Sequence, residues 1–254
     1  MKKLVALLTL TFALSSCSDN SESASEKPAA LKPIHTLIFM DKTSSVDVTD
    51  PFVAQKYQSL LKEIIDQNIR QSGDRLDIYF VHENTAKGKS LSLISRTEKE
   101  NLEGMNATDL EAAQTNYEFS LKKEQGIFLR QSIARLQQKN NGGSNKETNL
   151  SAAIPIISDA AENQSEIKAY ILSDMIESLN TGRDFHKSSP SSSSISESWA
   201  NEDLSKFSDS NLTGTEVLLA LPFEPTSSSK VNNPYVTEYW RILLEGLGAS
   251  VQEI

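Results

Sequence analysis

The sequence predicts an α/β fold with a doubly wound, mainly parallel central sheet and one antiparallel edge strand. Three observations predict it. Apolar runs at Ile34–Met40 (IHTLIFM), Glu166–Ser173 (EIKAYILS) and Thr215–Leu221 (TEVLLAL) are bounded by polar turn residues, as strands buried on both faces are. The segments between them carry apolar residues at helical spacing. Lys89–Ser95 (KSLSLIS) instead alternates apolar and polar residues, the pattern of a half-exposed antiparallel edge. Strands that alternate with helices at this rhythm form a parallel sheet covered on both sides.

Each element has its own signal. Asp47 and Asp50 precede Pro51, a helix start with proline in the first turn. Phe52, Val53, Tyr57, Leu60, Leu61, Ile64, Ile65 and Ile69 then recur at helical spacing up to Arg70, and Ser72-Gly73-Asp74 ends the helix. Arg75–His82 (RLDIYFVH) is the second strand. Thr108–Gln138 is a long charged helix with Leu110, Tyr117, Leu121, Phe128, Leu129, Ile133 and Leu136 as its core stripe. Gly126 is expected to bend or divide it. Residues 140–145 are a loop by composition, and Thr148 opens a helix near Asn149–Glu162. Residues 180–197 are dominated by serine and read as a mobile surface insertion. A short helix follows near Ser196–Phe207. Pro234–Leu247 is an amphipathic helix with Tyr239, Trp240, Leu243 and Leu244 inward, and Ser250–Ile254 is a last edge strand. No internal repeat and no second domain is visible.

The first residues are of another kind. Met1-Lys2-Lys3 is basic, Leu4–Leu14 is an apolar run too short to span a bilayer, and Leu14-Ser15-Ser16-Cys17 follows. Residues 1–16 therefore read as a signal peptide. LSSC resembles a bacterial lipobox, which implies that Cys17 is lipidated and becomes the new N-terminus. The alternative is an ordinary signal with an incidental cysteine. Residues 17–33, rich in Ser, Glu, Ala and Pro, read as a flexible tether, and 34–254 as the folded domain. Cys17 is the only cysteine, so the domain relies on packing and not on disulfides. Losing Lys2 and Lys3 from 25 basic residues leaves 23 against 34 acidic ones, a net charge of −11. Such a surface repels nucleic acid and anionic lipid, so membrane attachment falls to the lipid alone. The expected location is the bacterial cell envelope, on the periplasmic face or the cell surface.

The chemistry gathers where ligands bind in such sheets, beyond the carboxyl ends of the strands. The first strand ends in Asp41-Lys42-Thr43-Ser44-Ser45. Alone, this is equally a turn with local side-chain hydrogen bonds. Thr148, before the third helix, and Asp174, after the strand at 166–173, fall on the same edge. Thr148 can also serve as a helix cap. Together Asp41, Thr43, Ser45, Thr148 and Asp174 give two carboxylates and three hydroxyls, a hard-oxygen set suited to Mg²⁺, or to Ca²⁺ or Mn²⁺.

This layout resembles a von Willebrand factor type A (vWA) domain over Ile34–Ile254. The family's metal-ion-dependent adhesion site has D-x-S-x-S after the first strand, a distal Thr and a distal Asp. Here Thr43 stands where Ser is usual, KETNLSAAI (Lys146–Ile154) is similar to the threonine loop, and ILSDMIES (Ile171–Ser178) is similar to the strand that ends in Asp. Met175 stands where the family often has Gly. The resemblance implies that Thr43 and Ser45 ligate the metal directly, with Thr148 direct in the ligand-engaged state, while Asp41 and Asp174 act mainly through waters. It also implies a protein partner that supplies an acidic oxygen.

Two other functions compete. A strand that ends in Asp is also similar to haloacid-dehalogenase phosphatases, with Asp41 as nucleophile. Those enzymes need a second Asp two positions on, and Thr43 stands there. No G-x-S-x-G or G-x-x-x-x-G-K motif occurs. The third reading is a metal-free structural lipoprotein. His35 begins a strand, His82 ends one and His186 lies in the serine-rich segment, so a zinc site of three histidines is not expected. The sequence thus favours a non-enzymatic, metal-dependent interaction domain.

Overall fold

A computed structural model describes residues 31–139, 147–163, 165–180, 182–223 and 233–254. The chain divides into Met1–Leu31 and Lys32–Ile254, and every element among the described residues lies in the second unit. The signal segment, Cys17, most of the tether and the 140–145 loop lie outside the described residues.

Six strands form one sheet: β1 (Ile34–Asp41), β2 (Arg75–Val81), β3 (Lys89–Ile94), β4 (Glu166–Leu172), β5 (Thr215–Ala220) and β6 (Ser250–Glu253). Their order is β3-β2-β1-β4-β5-β6. All neighbours are parallel except β2 and β3, which are antiparallel. The expected fold class holds, down to the alternating edge strand. The helices are α1 (Pro51–Asn68), α2 (Ala107–Gln137), α3 (Ala153–Ala161), α4 (Ser193–Leu204) and α5 (Pro234–Gly246).

The two faces of β1 explain the two cores. All eight residues of β1 are buried. Leu37 and Phe39 pack with Ile171, Val217 and the α3 and α5 side chains. Ile38 and Met40 point the other way, onto Tyr57, Leu61 and Ile64 of α1 and Phe128 of α2. The two-residue period of a strand imposes this division. Each buried Leu, Ile or Phe contributes about 1.5–3 kcal/mol. A change such as Phe39→Ala therefore strikes the centre of the molecule.

Local signals set the ends. Asp50 caps α1 by accepting from Phe52 N–H at 2.8 Å and Val53 N–H at 3.2 Å, with Pro51 just inside. Inside β2 the carboxylate of Asp77 is buried, and it is held by Arg75 at 2.9 Å, Lys89 at 2.8 Å and His35 at 3.1 Å. Lys89 belongs to β3, so this ion cluster fastens the antiparallel edge.

Four expectations are corrected. Gly126 does not divide α2, which runs unbroken for 31 residues. Phe52 of α1 is exposed. Leu110 is exposed, and the buried stripe of α2 is Ala113, Gln125, Phe128, Ser132 and Leu136, with the expected Leu121, Leu129 and Ile133 partly buried beside it. Gln125 belongs there because its amide donates to Ile69 O at 2.7 Å. The serine-rich segment is not merely a surface insertion. Phe185 is fully buried against Trp199, Tyr239 and Trp240, Ser192 caps α4, and α4 begins three residues earlier than expected. One aromatic side chain among many serines is enough to anchor the segment.

Candidate metal centre

The rim at the carboxyl ends of β1, β2 and β4 collects the expected site residues. Asp41 is the last residue of β1, and its carboxylate is buried. Its Oδ1 accepts from the Thr43 N–H at 2.8 Å and the Thr43 hydroxyl at 2.6 Å. The Thr43 and Ser45 hydroxyls lie 3.2 Å apart. Asp174 follows β4, and its Oδ1 accepts from the Ile176 N–H at 3.1 Å. Asp41, Thr43 and Ser45 therefore form one hydrogen-bonded cluster, and the charge of Asp174 is felt at Asp41.

Thr148 reaches the same rim by another route. Its backbone pairs with Ser178, accepting from Ser178 N–H at 3.0 Å. The next residue, Asn149, donates its N–H to His82 O at 3.3 Å, just past β2. Thr148 is thus held between the ends of β2 and β4. It does not cap α3, which starts at Ala153.

Sequence reasoning missed three residues here. Ser173 donates its hydroxyl to Asp41 Oδ2 at 2.6 Å and joins β4 to β1 across the site. The only hint was its place between a strand and Asp174. Lys42, inside the motif, is buried. The strand period turns it away from Asp41, onto the Phe80 ring at 5.0 Å and the Leu136 carbonyl at the end of α2. Burial lowers its pKa to about 8, and the negative charge of Asp41 works against that shift. Glu177 is buried too, with Oε2 accepting from the Ser151 N–H at 2.7 Å and Oε1 from the Ser151 hydroxyl at 3.0 Å. Burial pushes its carboxyl up to about 7, against the hydrogen bonds from Ser151.

The electrostatics ask for a cation. Burial raises Asp41, and the neighbouring charge of Asp174 raises it further, against the Ser173 and Thr43 hydrogen bonds. Burial also raises Asp174, against its bond from the Ile176 N–H. Asp174 Oδ2 is buried with no hydrogen-bond partner. Thr43 gives its proton to Asp41, so its hydroxyl keeps lone pairs for another group, and the Ser45 hydroxyl lies 3.2 Å from it. Two carboxylates, two neighbouring hydroxyls and one orphaned oxygen fit a hard divalent cation. Among the described residues no group of three or more His, Cys, Asp or Glu side chains is placed to hold a metal. A centre built here would depend on its hydroxyls.

Met175 resolves the one departure in the loop. It is the only non-glycine with positive φ among the described residues, at 64°. It takes the left-handed conformation that glycine adopts freely, at a cost of about 1–2 kcal/mol. Its buried side chain and the bond from Trp240 Nε1 to its carbonyl, at 2.8 Å, hold it there.

No protein-family model and no curated protein matches the sequence. In structure the chain is similar to a von Willebrand factor type A protein from Catenulispora acidiphila, at 14% identity and TM-score 0.36, covering 88% of this chain and 38% of that one. It is similar to the manganese-loaded TRAP protein of Plasmodium vivax, at 10% identity and TM-score 0.35, covering 74% of this chain and 57% of that one. It is also similar to the pilus adhesin SpaC of Lactobacillus rhamnosus GG in an open conformation, at 10% identity and TM-score 0.41, covering 88% and 28%. The chain therefore spans 57% or less of the length of each of these proteins. What decides the fold is the chain's own layout: a parallel sheet with one antiparallel edge, and a D-x-T-x-S loop, a threonine loop and an aspartate on one rim. That layout is von Willebrand factor type A-like. Met175 takes a backbone conformation that glycine adopts freely, and Thr43 supplies a hydroxyl as a serine would.

Proposed function

We propose that this chain is a lipid-anchored envelope protein whose vWA-like domain binds a divalent cation and, through it, a protein partner. One observation carries the reading: the Thr43 hydroxyl commits its proton to the buried Asp41 carboxylate, the Ser45 hydroxyl lies 3.2 Å from it, and Asp174 keeps a buried oxygen that has no partner. Thr43, Ser45 and Thr148 would hold the ion directly, with Asp41 and Asp174 behind them. The bound ion would supply an electron-poor coordination position for an acidic oxygen of the partner. Two carboxylates balance the charge of one divalent ion and leave it no surplus of negative ligands. The chain's own residues do the rest. Asp41 orients the Thr43 hydroxyl, Ser178 and His82 fix the threonine loop, and Lys42 fastens the motif to α2.

Catalysis is not proposed. Thr43 occupies the position where an aspartyl phosphatase needs its proton donor, and its own proton goes to Asp41. Attachment by lipid on Cys17 follows from the LSSC sequence. Among the described residues no helix is long and apolar enough to cross a membrane.

Calorimetry tests the reading. The full chain, purified in detergent, takes up one Mg²⁺, and Asp41→Ala takes up none. Equal binding by both would place the ion elsewhere, and no binding by either would end the metal reading. Pull-down from envelope extract with and without EDTA then tests the partner, which is retained only without chelator.

A further inference from the structure

The inward stripe of α2 runs through Phe128, Ser132 and Leu136, and the opposite side of the helix carries two features that match each other. The first is a knob. Phe119 is 73% exposed, the most exposed large apolar side chain among the described residues. The second is a groove of about 430 Å³ over Gly126, walled by Leu129, Arg130, Ile133, Ala134 and Gln137. Gly126 has no side chain, and a Cβ placed there would meet no atom within 4 Å. From Phe119 to Gly126, Arg130, Ile133 and Gln137 the steps are 7, 11, 14 and 18 residues. Each is close to a whole number of helical turns, so knob and groove share one face. Phe119 cannot fill the groove of its own chain, because about 10 Å of rigid helix separates it from Gly126.

We propose that this face of α2 is a self-association surface, on which Phe119 of one copy enters the Gly126 groove of a second copy and the two helices run antiparallel. A two-fold axis crossing α2 near Glu124 fills both grooves at once, since each copy of such a pair gives the contact that it receives. Charge sets the direction. Up to Leu121 the helix carries Asp109, Glu111 and Glu118 and no cation. From Lys122 on it carries Lys122, Lys123, Arg130 and Arg135, and its one acid there, Glu124, is turned onto Ser95 and Thr97. Antiparallel copies set the acidic half of one helix against the basic half of the other, whereas a parallel pair sets like against like. Arg130, on the wall of the groove, is placed to lie over the incoming ring, where a guanidinium is attracted to the aromatic face. The surface lies outside the rim and needs no bound ion, so it goes beyond the metal reading and does not depend on it.

Sedimentation equilibrium of the full chain, in a detergent whose density the buffer matches, reads the association. Wild type passes from monomer to dimer with a Kd on the order of 10 μM. Phe119→Ala removes the knob, and Gly126→Lys fills the groove and places a cation in it. Each raises that Kd by about thirtyfold or more, the scale of an interface hot spot. Both positions are exposed, so neither variant lowers the melting temperature. A second arm mixes the two variants, one of them carrying a fluorophore. Pairs of Phe119→Ala have two grooves and no knob, and pairs of Gly126→Lys have two knobs and no groove. The mixed pair has one of each, and it is expected to form about tenfold more tightly than either variant alone. A mixed pair no tighter than its parents overturns the proposal even if wild type dimerises, because the dimer then uses another face. An unchanged Kd in Phe119→Ala overturns it in the same way. A wild type that stays monomeric well above the expected Kd overturns it too, and leaves this face of α2 to a different protein.

Discussion

At the scale of the residue, Asp41 and Met175 bear most of the strain. Asp41 shares a buried rim with Asp174, and without a cation the two charges repel. Asp41→Asn removes one charge, keeps an oxygen for Thr43, and presents an amide N–H₂ from which the Ser173 hydroxyl, turned from donor to acceptor, takes its bond. In EDTA this variant is expected to equal or exceed wild type in urea denaturation, by about 1–2 kcal/mol. With Mg²⁺ the order reverses. Wild type gains about 2.7 kcal/mol at a hundredfold excess over Kd, and the variant gains nothing. An Asp41→Asn chain much weaker than wild type in EDTA would mean that the carboxylate serves the fold. Met175 offers a second test through a reversed order of substitutions. Elsewhere Ala is better tolerated than Gly, but at φ 64° Ala keeps the strain and loses the packing. Both variants lose a fully buried side chain at about 2–5 kcal/mol, and Met175→Gly is expected to be about 1 kcal/mol less damaging than Met175→Ala. Thermal melts of the pair decide this, and the opposite order would show a relaxed turn.

At the scale of the element, α3 is held by Glu177. Its carboxylate takes the Ser151 N–H and hydroxyl just ahead of the helix. Burial raises its pKa from 4.5 to about 7, so the folded state favours the protonated form. Between those values the unfolded chain has released a proton that the folded chain keeps. The stability that Glu177 contributes is therefore complete below about pH 4.5 and falls as pH rises toward 7, by roughly 3 kcal/mol at about 1.4 kcal/mol per unit. Glu177→Gln carries no such charge. The stability difference between the two proteins, followed by denaturation from pH 4.5 to 8, is expected to shift steadily in favour of the variant. A constant difference would mean that Glu177 does not titrate in this window. The elements also show what the sequence disclosed. The strands were legible because burial on both faces leaves uninterrupted apolar runs, as in IHTLIFM. The motif was legible because its ligands are two residues apart. Glu177 and Ser173 were not, because their roles depend on Ser151 and Asp41, which lie 26 and 132 positions away. Phe185 was hidden by the serines around it, and Gly126 misled because the solvent face of a long helix tolerates a glycine for about 1 kcal/mol.

At the scale of the whole molecule, one sheet places distant segments on one rim, and the lipid is proposed to hold that rim at a membrane. Asp41 to Asp174 spans more than half of the chain, and only the adjacency of β1 and β4 brings them together. Cys17→Ser is expected to move the protein from the membrane to the soluble fraction and to leave Mg²⁺ binding unchanged. Fractionation and calorimetry on the same preparation separate anchoring from binding, and membrane retention of the variant would remove the lipid from the account. The most direct measurement is anomalous X-ray scattering from crystals of the protein grown with Mn²⁺. A single strong peak bonded to the hydroxyl oxygens of Thr43 and Ser45 is the predicted result. A peak elsewhere, or none at saturating Mn²⁺, would contradict the metal centre.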